Sequence, residues 1–527
     1  MGLWLFLLTS IVPYLADVRA IKEAQLRTQQ SFGDTHEHPA ETLFNNAKAN
    51  FGNLLHNQSK SYAAACDEYR RRYGAEPPHG FEDWFNFAVS HHSAIVDDFD
   101  TIYTSVSPFW KLSGAEVLHI MTEVQAKPDW DLWSCTVSAQ NAQTRCSHPS
   151  RTFDRHIGLL FNRLTGNLSI ALPDVKFLVN HLDEPRVLFP LQSSIMDDSS
   201  NSNNKSKRPV WDALTRKCPS EQRKAIPTNS TFETFGLSFV TALSSIMDLC
   251  GHPEYEAMHG LLAHPASSRM IQETVPVLST GSLSTMGDVL YPSPAYLEAD
   301  FQYDETQDVE WEKKQNKLYW TGSTTGGQAS NDEWRYFHRQ RFVSLAQNLG
   351  AKRHVYLREI EGVVTRVASH FLNSRLFDVA FTRIFQCDAR DCRDQRAHFN
   401  IKPWADRHSA FRSKLAFDMD GNGISGRYYQ LLASKSVPLK QTLLREWHDD
   451  RLVPWAHYIP ISQSLDEVPE LVSYLTSSDT GKRIAKEIAG LGRNWHSQAL
   501  REIDITIYTY RLLLELARLQ DLERSAG

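Results

Sequence analysis

Short apolar runs with strand character recur along the chain, among them Val175–Asn180, Val275–Leu278, Lys317–Trp320, His354–Leu357, Leu415–Met419 and His457–Ile461. Stretches of helical periodicity separate them. Strands running in one direction need a long crossover between them, usually a helix, so the alternation predicts parallel sheets in an α/β architecture. With 527 residues, 41% hydrophobic, the chain has the length and apolar content for two or three domains with their own cores. A formal net charge of −6 with scattered basic residues excludes the electrostatic footprint of a nucleic-acid-binding protein.

Leu3–Leu15 is uncharged and mostly apolar, too short to cross a bilayer comfortably but of secretory h-region length, and Val18-Arg19-Ala20 offers small residues for cleavage. Residues 1–20 therefore read as a signal peptide or as a short signal anchor that would associate the protein with a membrane. Residues 21–75 are polar and helix-prone and are expected to form a stem or N-terminal extension. After Pro77-Pro78, the residues Phe81, Trp84, Phe85 and Ala88 stand at i, i+3, i+4, i+7, the stripe of a packed helix. An N-terminal domain is expected over 76–270, with a disordered polar insert at 197–207, and a C-terminal domain over 271–500. The Leu/Tyr/Ile-rich tail predicts a helix in 501–527 packing across both. Cys135/Cys146 and Cys387/Cys392 are natural disulfide pairs in an oxidising lumen and leave at least one of the seven cysteines unpaired, whereas buried free thiols stay open as the alternative. Sequons occur at Asn57, Asn167, Asn204 and Asn229.

Three turns carry chemistry. Lys414–Ser434 joins an apolar strand to the glycine-rich turn D-G-N-G-I-S-G-R, which opens a helical run. Backbone N–H groups and an arginine gathered there favour phosphate, the chemistry of a diphosphate-carrying donor. Asp418, Asp420, Asn422 and Gly423 also begin like an EF-hand loop, but its twelfth position, where a bidentate glutamate belongs, is Tyr429. A D-x-D metal-nucleotide site stays open on spacing alone. The second turn, Thr321–Gly327, follows a strand and precedes a helix expected to be capped by Asn331 and to run through Arg335 and Arg339 to Gly350. In the third, the strand ending at Asn180 runs into His181-Leu182-Asp183-Glu184-Pro185-Arg186, and Asp183 is a candidate general base. Ion pairing with Arg186 in a surface turn is the competing reading. His448-Asp449-Asp450 reads as a solvated turn in preference to a metal site, aromatic packing explains Trp455 and His457 as well as direct ligand contact does, and His91-His92 lie on a predicted amphipathic helix with no chemistry assigned.

Taken together, N-H-L-D-E-P-R at 180–186, D-V-L-Y-P-S-P at 288–294, Y-W-T-G-S-T-T-G-G at 319–327, G-I-S-G-R at 423–427, L-L-A-S-K-S-V-P at 431–438 and L-V-P-W-A-H-Y-I-P at 452–460 resemble glycosyltransferase family 90. That family contains fungal capsule-associated transferases and animal protein O-glucosyltransferases. The resemblance implies a GT-B architecture, two Rossmann-like domains facing across a cleft. It also implies inverting transfer of glucose or xylose from a UDP-sugar to a glycan or protein hydroxyl, without a metal or any cofactor beyond that co-substrate, in the secretory pathway. The family's catalytic aspartate falls on Asp183. Its donor-binding residues fall on Arg427 with Ser425 and Gly426, and on Gly322 and Ser323, with Asp288 near the donor. One departure stands out: Thr321 and Thr324 occupy positions where animal relatives carry arginine. Either Arg335 or Arg339 is expected to supply the missing charge, or the chain is a non-catalytic carbohydrate- or UDP-binding protein.

Overall fold

The computed structural model describes residues 37–527 apart from 128–129, 140–142, 152–155, 167, 169–171, 190–207, 220–232 and 268. The expected leader, the insert at 197–207 and the sequons at Asn167, Asn204 and Asn229 lie outside the described residues.

Two five-stranded sheets organise the chain. The first is built from β1 (Leu132–Val137), β2 (Thr144–Ser147), β3 (Val175–Asn180), β4 (Val277–Ser279) and β5 (Val289–Leu290), in the order β2-β1-β3-β4-β5. It is mixed: β1 runs antiparallel to β2 and β3, whereas β3, β4 and β5 are parallel. The second sheet starts with β6 (Gln315–Ser323). An antiparallel hairpin, β7 (His354–Ile360) and β8 (Val363–Ser369), lies outside both sheets, so the His354–Leu357 run is not part of a parallel sheet. β9 (Phe377–Arg383), β10 (Ser413–Met419), β11 (Val437–Gln441) and β12 (Ile459–Pro460) complete the second sheet in the order β12-β11-β10-β6-β9, parallel throughout. Its central strand β10 is buried along nearly its whole length, which is why Leu415–Met419 reads as an apolar run but for Asp418.

The first sheet extends to Leu290, and the second begins at Gln315. The described part of the expected stem, from residue 37 on, is helical. Helix Pro39–His56 buries Ala40, Leu43, Phe44 and Ala47 in the core of the second sheet, and helix Tyr62–Tyr73 buries Ala65, Cys66 and Tyr69 in that of the first.

Helix Phe81–Ser90 buries its predicted stripe. Trp84 donates its indole N–H to the Ile507 carbonyl at 2.9 Å. That partner belongs to helix Glu502–Leu519, buried nearly all round, as its Ile, Tyr and Leu content demands. The tail thus returns from the second sheet to fill the core of the first, against β3 and the helices at 81–90 and 100–106. Disulfides join Cys135–Cys146 and Cys387–Cys392 as expected, and also Cys218–Cys250, leaving Cys66 buried and free.

Candidate active site

β3, β6, β9 and β10 end on one region of the molecule. There two cavities, of about 350 and 830 Å³, adjoin and share Phe301, Gly421, Ile424 and Gly426 in their walls. Ligands of open α/β sheets sit outside the carboxyl ends of the strands, and both cavities do.

Asp183 lines the smaller cavity, three residues beyond β3. The turn that carries it is tightly held. Asn180 donates from Nδ2 to the Glu184 carbonyl at 2.8 Å and accepts from Leu182 N at 3.0 Å, and the Glu184 carboxylate accepts from Ala266 N, Ser267 N and Ser267 Oγ. Among the described residues the Asp183 carboxylate itself makes no hydrogen bond. It keeps surface open to the cavity, yet the surrounding protein displaces bulk water and pushes its carboxyl above the ordinary range. Glu184 adds to that shift, and His156, another lining residue, opposes it. The ion pair of Asp183 or Glu184 with Arg186 does not form: Arg186 is buried and donates to the carbonyls of Arg269 and Trp130.

Gly423, of the D-G-N-G turn, packs directly on the Asp183 turn. A Cβ at Gly423 would stand 2.2 Å from the Asp183 carbonyl oxygen, so only glycine permits this approach of the two sheets' loops.

The larger cavity holds Arg427, Ser425, Gly426, Gly322, Ser323 and Arg339. Arg427 donates from Nη1 to the Thr321 carbonyl at 2.7 Å, tying the S-G-R turn to the end of β6. A register shift against β9 between Gly322 and Ser323 re-aims the strand at that end. The helix after Arg427 covers only Tyr428–Ala433, so positive charge in this wall comes mainly from arginine rather than from a helix terminus. Arg339 is buried and donates to the carbonyls of Asp420 (2.8 Å) and Ser323 (3.0 Å) and to Thr325 Oγ1 (2.7 Å). Burial and the neighbouring Arg427 push its guanidinium down to about 9, leaving it charged at neutral pH; an anion in the cavity would relieve that repulsion.

Beneath these loops lies a buried polar chain. Ser425 Oγ donates to Asp418 at 2.5 Å, and Lys440 Nζ stands 3.5 Å from Asp418 and 3.0 Å from Glu446, which also accepts from the Tyr296 hydroxyl. Asp420 accepts from Thr442 Oγ1 at 3.0 Å and Leu443 N at 2.9 Å. The two D-x-D carboxylates therefore turn into the protein, where they brace the loops around the larger cavity.

Several expected residues have other roles. Asp288 lines neither cavity; buried, it accepts from Arg186 N, Val187 N and Ser279 Oγ at 2.7–3.0 Å and anchors the backbone beyond Asp183. Arg335 is half-exposed, pairs with Asp332 at 3.2 Å and stacks on Trp334, outside the site. Asn331 caps no helix: it and Asp332 have positive φ, residues 333–336 form a 3-10 turn, and the α-helix spans His338–Ala346. Thr324 is spent on Phe385, donating to its carbonyl at 2.7 Å and accepting from its N–H at 3.0 Å. His448-Asp449-Asp450 is not a solvated turn, since His448 is buried and Asp450 accepts from Thr101 N at 2.7 Å, linking the two halves of the chain. Trp455 and His457 pack away from both cavities, His457 stacking on Trp495.

Sequence reasoning passed over Arg383 and Trp404, paired at 4.4 Å, and Phe385 and Arg407 at the rim of the larger cavity. They come from strand ends and a loop without a motif, and no local signal points to them.

Residues 356–526 match the profile of glycosyl transferase family 90. The C-terminal part of the chain is thus similar to that family. The matched segment contains Ser425, Gly426 and Arg427, while Asp183, Gly322, Ser323 and Arg339 precede it. Protein O-glucosyltransferase 1 of Rattus norvegicus is 23% identical over 296 residues, covering 50% of this chain and 63% of the relative. The Homo sapiens protein of the same name is 23% identical over 304 residues, covering 52% and 65%. O-glucosyltransferase rumi of Drosophila pseudoobscura pseudoobscura reaches 37% over 111 residues, 20% of this chain and 26% of the relative. In each case the match spans less than two thirds of the relative's own length.

Proposed function

We propose that the protein is an inverting glycosyltransferase that moves glucose or xylose from a UDP-sugar to a hydroxyl of a protein or glycan acceptor. The observation that carries this reading is the juxtaposition of Asp183 in one cavity with Arg427 and Arg339 in the adjoining one. Inversion requires the base and the leaving diphosphate to lie on opposite faces of the anomeric carbon, and two cavities with a common wall suit it. In this mechanism Asp183 takes the proton of the acceptor hydroxyl as its oxygen bonds to the anomeric carbon. The bond from that carbon to the diphosphate oxygen breaks, and the electron pair leaves with UDP. Arg427 and Arg339 balance the charge that develops there, the part a metal plays in other transferases.

The two sheets on this reading are the halves of a GT-B fold, and no metal is required. The relatives' names favour a protein acceptor. Three disulfides fit the oxidising lumen of the secretory pathway. Among the described residues no helix is long and apolar enough to cross a membrane. Thr321 and Thr324, the basis for a non-catalytic protein, lose their force because Arg339 brings charge to the same loop.

Calorimetric titration with UDP, UDP-glucose and UDP-xylose in the presence of EDTA tests the reading. Binding that survives EDTA, with turnover onto an acceptor peptide or glycan, is expected. A folded protein that binds none of the three nucleotides would refute it.

A further inference from the structure

We propose that Gln430 is a donor-binding residue whose side-chain amide bonds a part of the UDP-sugar offering both a hydrogen-bond donor and an acceptor. This rests on the reading of the larger cavity as a UDP-sugar pocket. Gln430 lies three residues after Arg427 at the start of the same short helix, which places the two side chains on one face. Both line the larger cavity, and Gln430 also borders a further cavity of about 710 Å³ beyond it.

The residue is only 3% exposed, and among the described residues its amide makes no hydrogen bond; the carbonyl oxygen is fully buried without a partner. Other buried glutamines differ. Gln340, Gln441 and Gln463 also carry an unpaired Oε1, but each donates through Nε2, to Gln395 (3.1 Å), the Ser462 carbonyl (2.8 Å) and the Thr442 carbonyl (3.4 Å). A buried carbonyl oxygen with no partner weakens the fold, and an apolar side chain would avoid that cost. Its place on the wall of the donor cavity supplies the compensation: the missing partner is the ligand. The polar edge of uracil and the hydroxyls of the sugar both present a donor beside an acceptor, and experiment separates these two sources.

Gln430→Met keeps length and removes hydrogen bonding; Gln430→Leu serves if the methionine variant does not fold. Each is compared with wild type by calorimetric titration of UDP and UDP-glucose and by thermal unfolding of the ligand-free protein. UDP-glucose affinity is expected to fall about tenfold or more, with a melting temperature unchanged or raised because an unpaired buried amide is gone. A loss shared by UDP locates the contact on the nucleotide, and a loss confined to UDP-glucose locates it on the sugar; both support the assignment. Affinities equal to wild type overturn it, as does a loss seen only together with a lowered melting temperature. A wild type that binds neither nucleotide overturns the proposed function and this assignment with it, an outcome distinct from unchanged affinity in the variant.

Discussion

Asp183 and Arg427 line neighbouring cavities but are held in opposite ways. Around Asp183 the backbone is pinned by Asn180, Glu184 and Asp288 while, among the described residues, the carboxylate is left without a hydrogen bond. On the other side the functional groups are themselves tied down. Arg427 is bonded to Thr321, Arg339 to three oxygens of two loops, and Ser425 to a buried chain through Asp418, Lys440 and Glu446. The contrast fits the work proposed for each. A base must be free to accept a proton from an incoming hydroxyl, whereas a site for developing negative charge gains most when its charges need no rearrangement.

The comparison is broken most severely by Asp183→Asn, which preserves shape and removes the base. Turnover is expected to fall roughly 10²–10⁴-fold with UDP affinity unchanged, measured by product formation beside calorimetry. Because the Asp183 carboxyl is raised and must be ionised to act, the acid limb of the wild-type kcat/KM profile is expected at higher pH than for an ordinary aspartate. Next comes Lys440→Met. It strands Asp418 and Glu446 as uncompensated buried carboxylates and is expected to cost about 3–5 kcal/mol in denaturant-induced unfolding. A melting curve like that of wild type would show that the donor loops do not depend on the buried chain.

Arg427→Ala removes a charge without touching that chain. UDP affinity is expected to weaken about 10–100-fold, in line with a lost charge-assisted contact, and stability to change little because the Arg427 side chain is only partly buried. Equal UDP affinity in variant and wild type would transfer the diphosphate to Arg339 alone.

How far these features are legible in the sequence depends on the range of the interactions that make them. β10 and β3 are visible because a strand buried on both faces is a mostly apolar run, and the tail helix because of its dense Ile, Tyr and Leu content. β1 and β2 are hidden: Ser134 and Thr136 interrupt the run, and β1 pairs antiparallel with both β2 and β3 in a sheet whose remaining pairings are parallel. Asp183 and Arg427 are readable at the ends of strands. Asp288 looks equally functional, being an acid beside a strand, until its three donors are seen. The same holds for Arg335 and Arg339, four residues apart: the break at Phe337 leaves Arg335 in a 3-10 turn facing solvent and Arg339 in the following helix facing the loops. Asp450 meets Thr101 across 349 residues, a contact that no local pattern announces.

Asp420→Asn gives the smallest and sharpest test of the donor-side scaffold. Burial pushes the Asp420 carboxyl up to about 7, against the pull of Lys440, Leu443 N–H and Thr442 Oγ1, and Oδ1 has no partner. Between the unfolded value near 3.8 and the folded value, the native state holds a proton that the unfolded chain has released. Stability from this group is therefore complete at the acid end and declines as pH rises through about 7. Asparagine keeps an oxygen for Thr442 and Leu443 and has no proton to lose. From pH 5 to pH 8 the wild type is expected to lose on the order of 2 kcal/mol relative to Asp420→Asn, read from paired urea titrations at each pH. A difference between the two proteins that stays constant over that range would mean that Asp420 is ionised throughout, with Lys440 and Arg339 stabilising the anion, and would make the donor side more strongly charged than its burial implies.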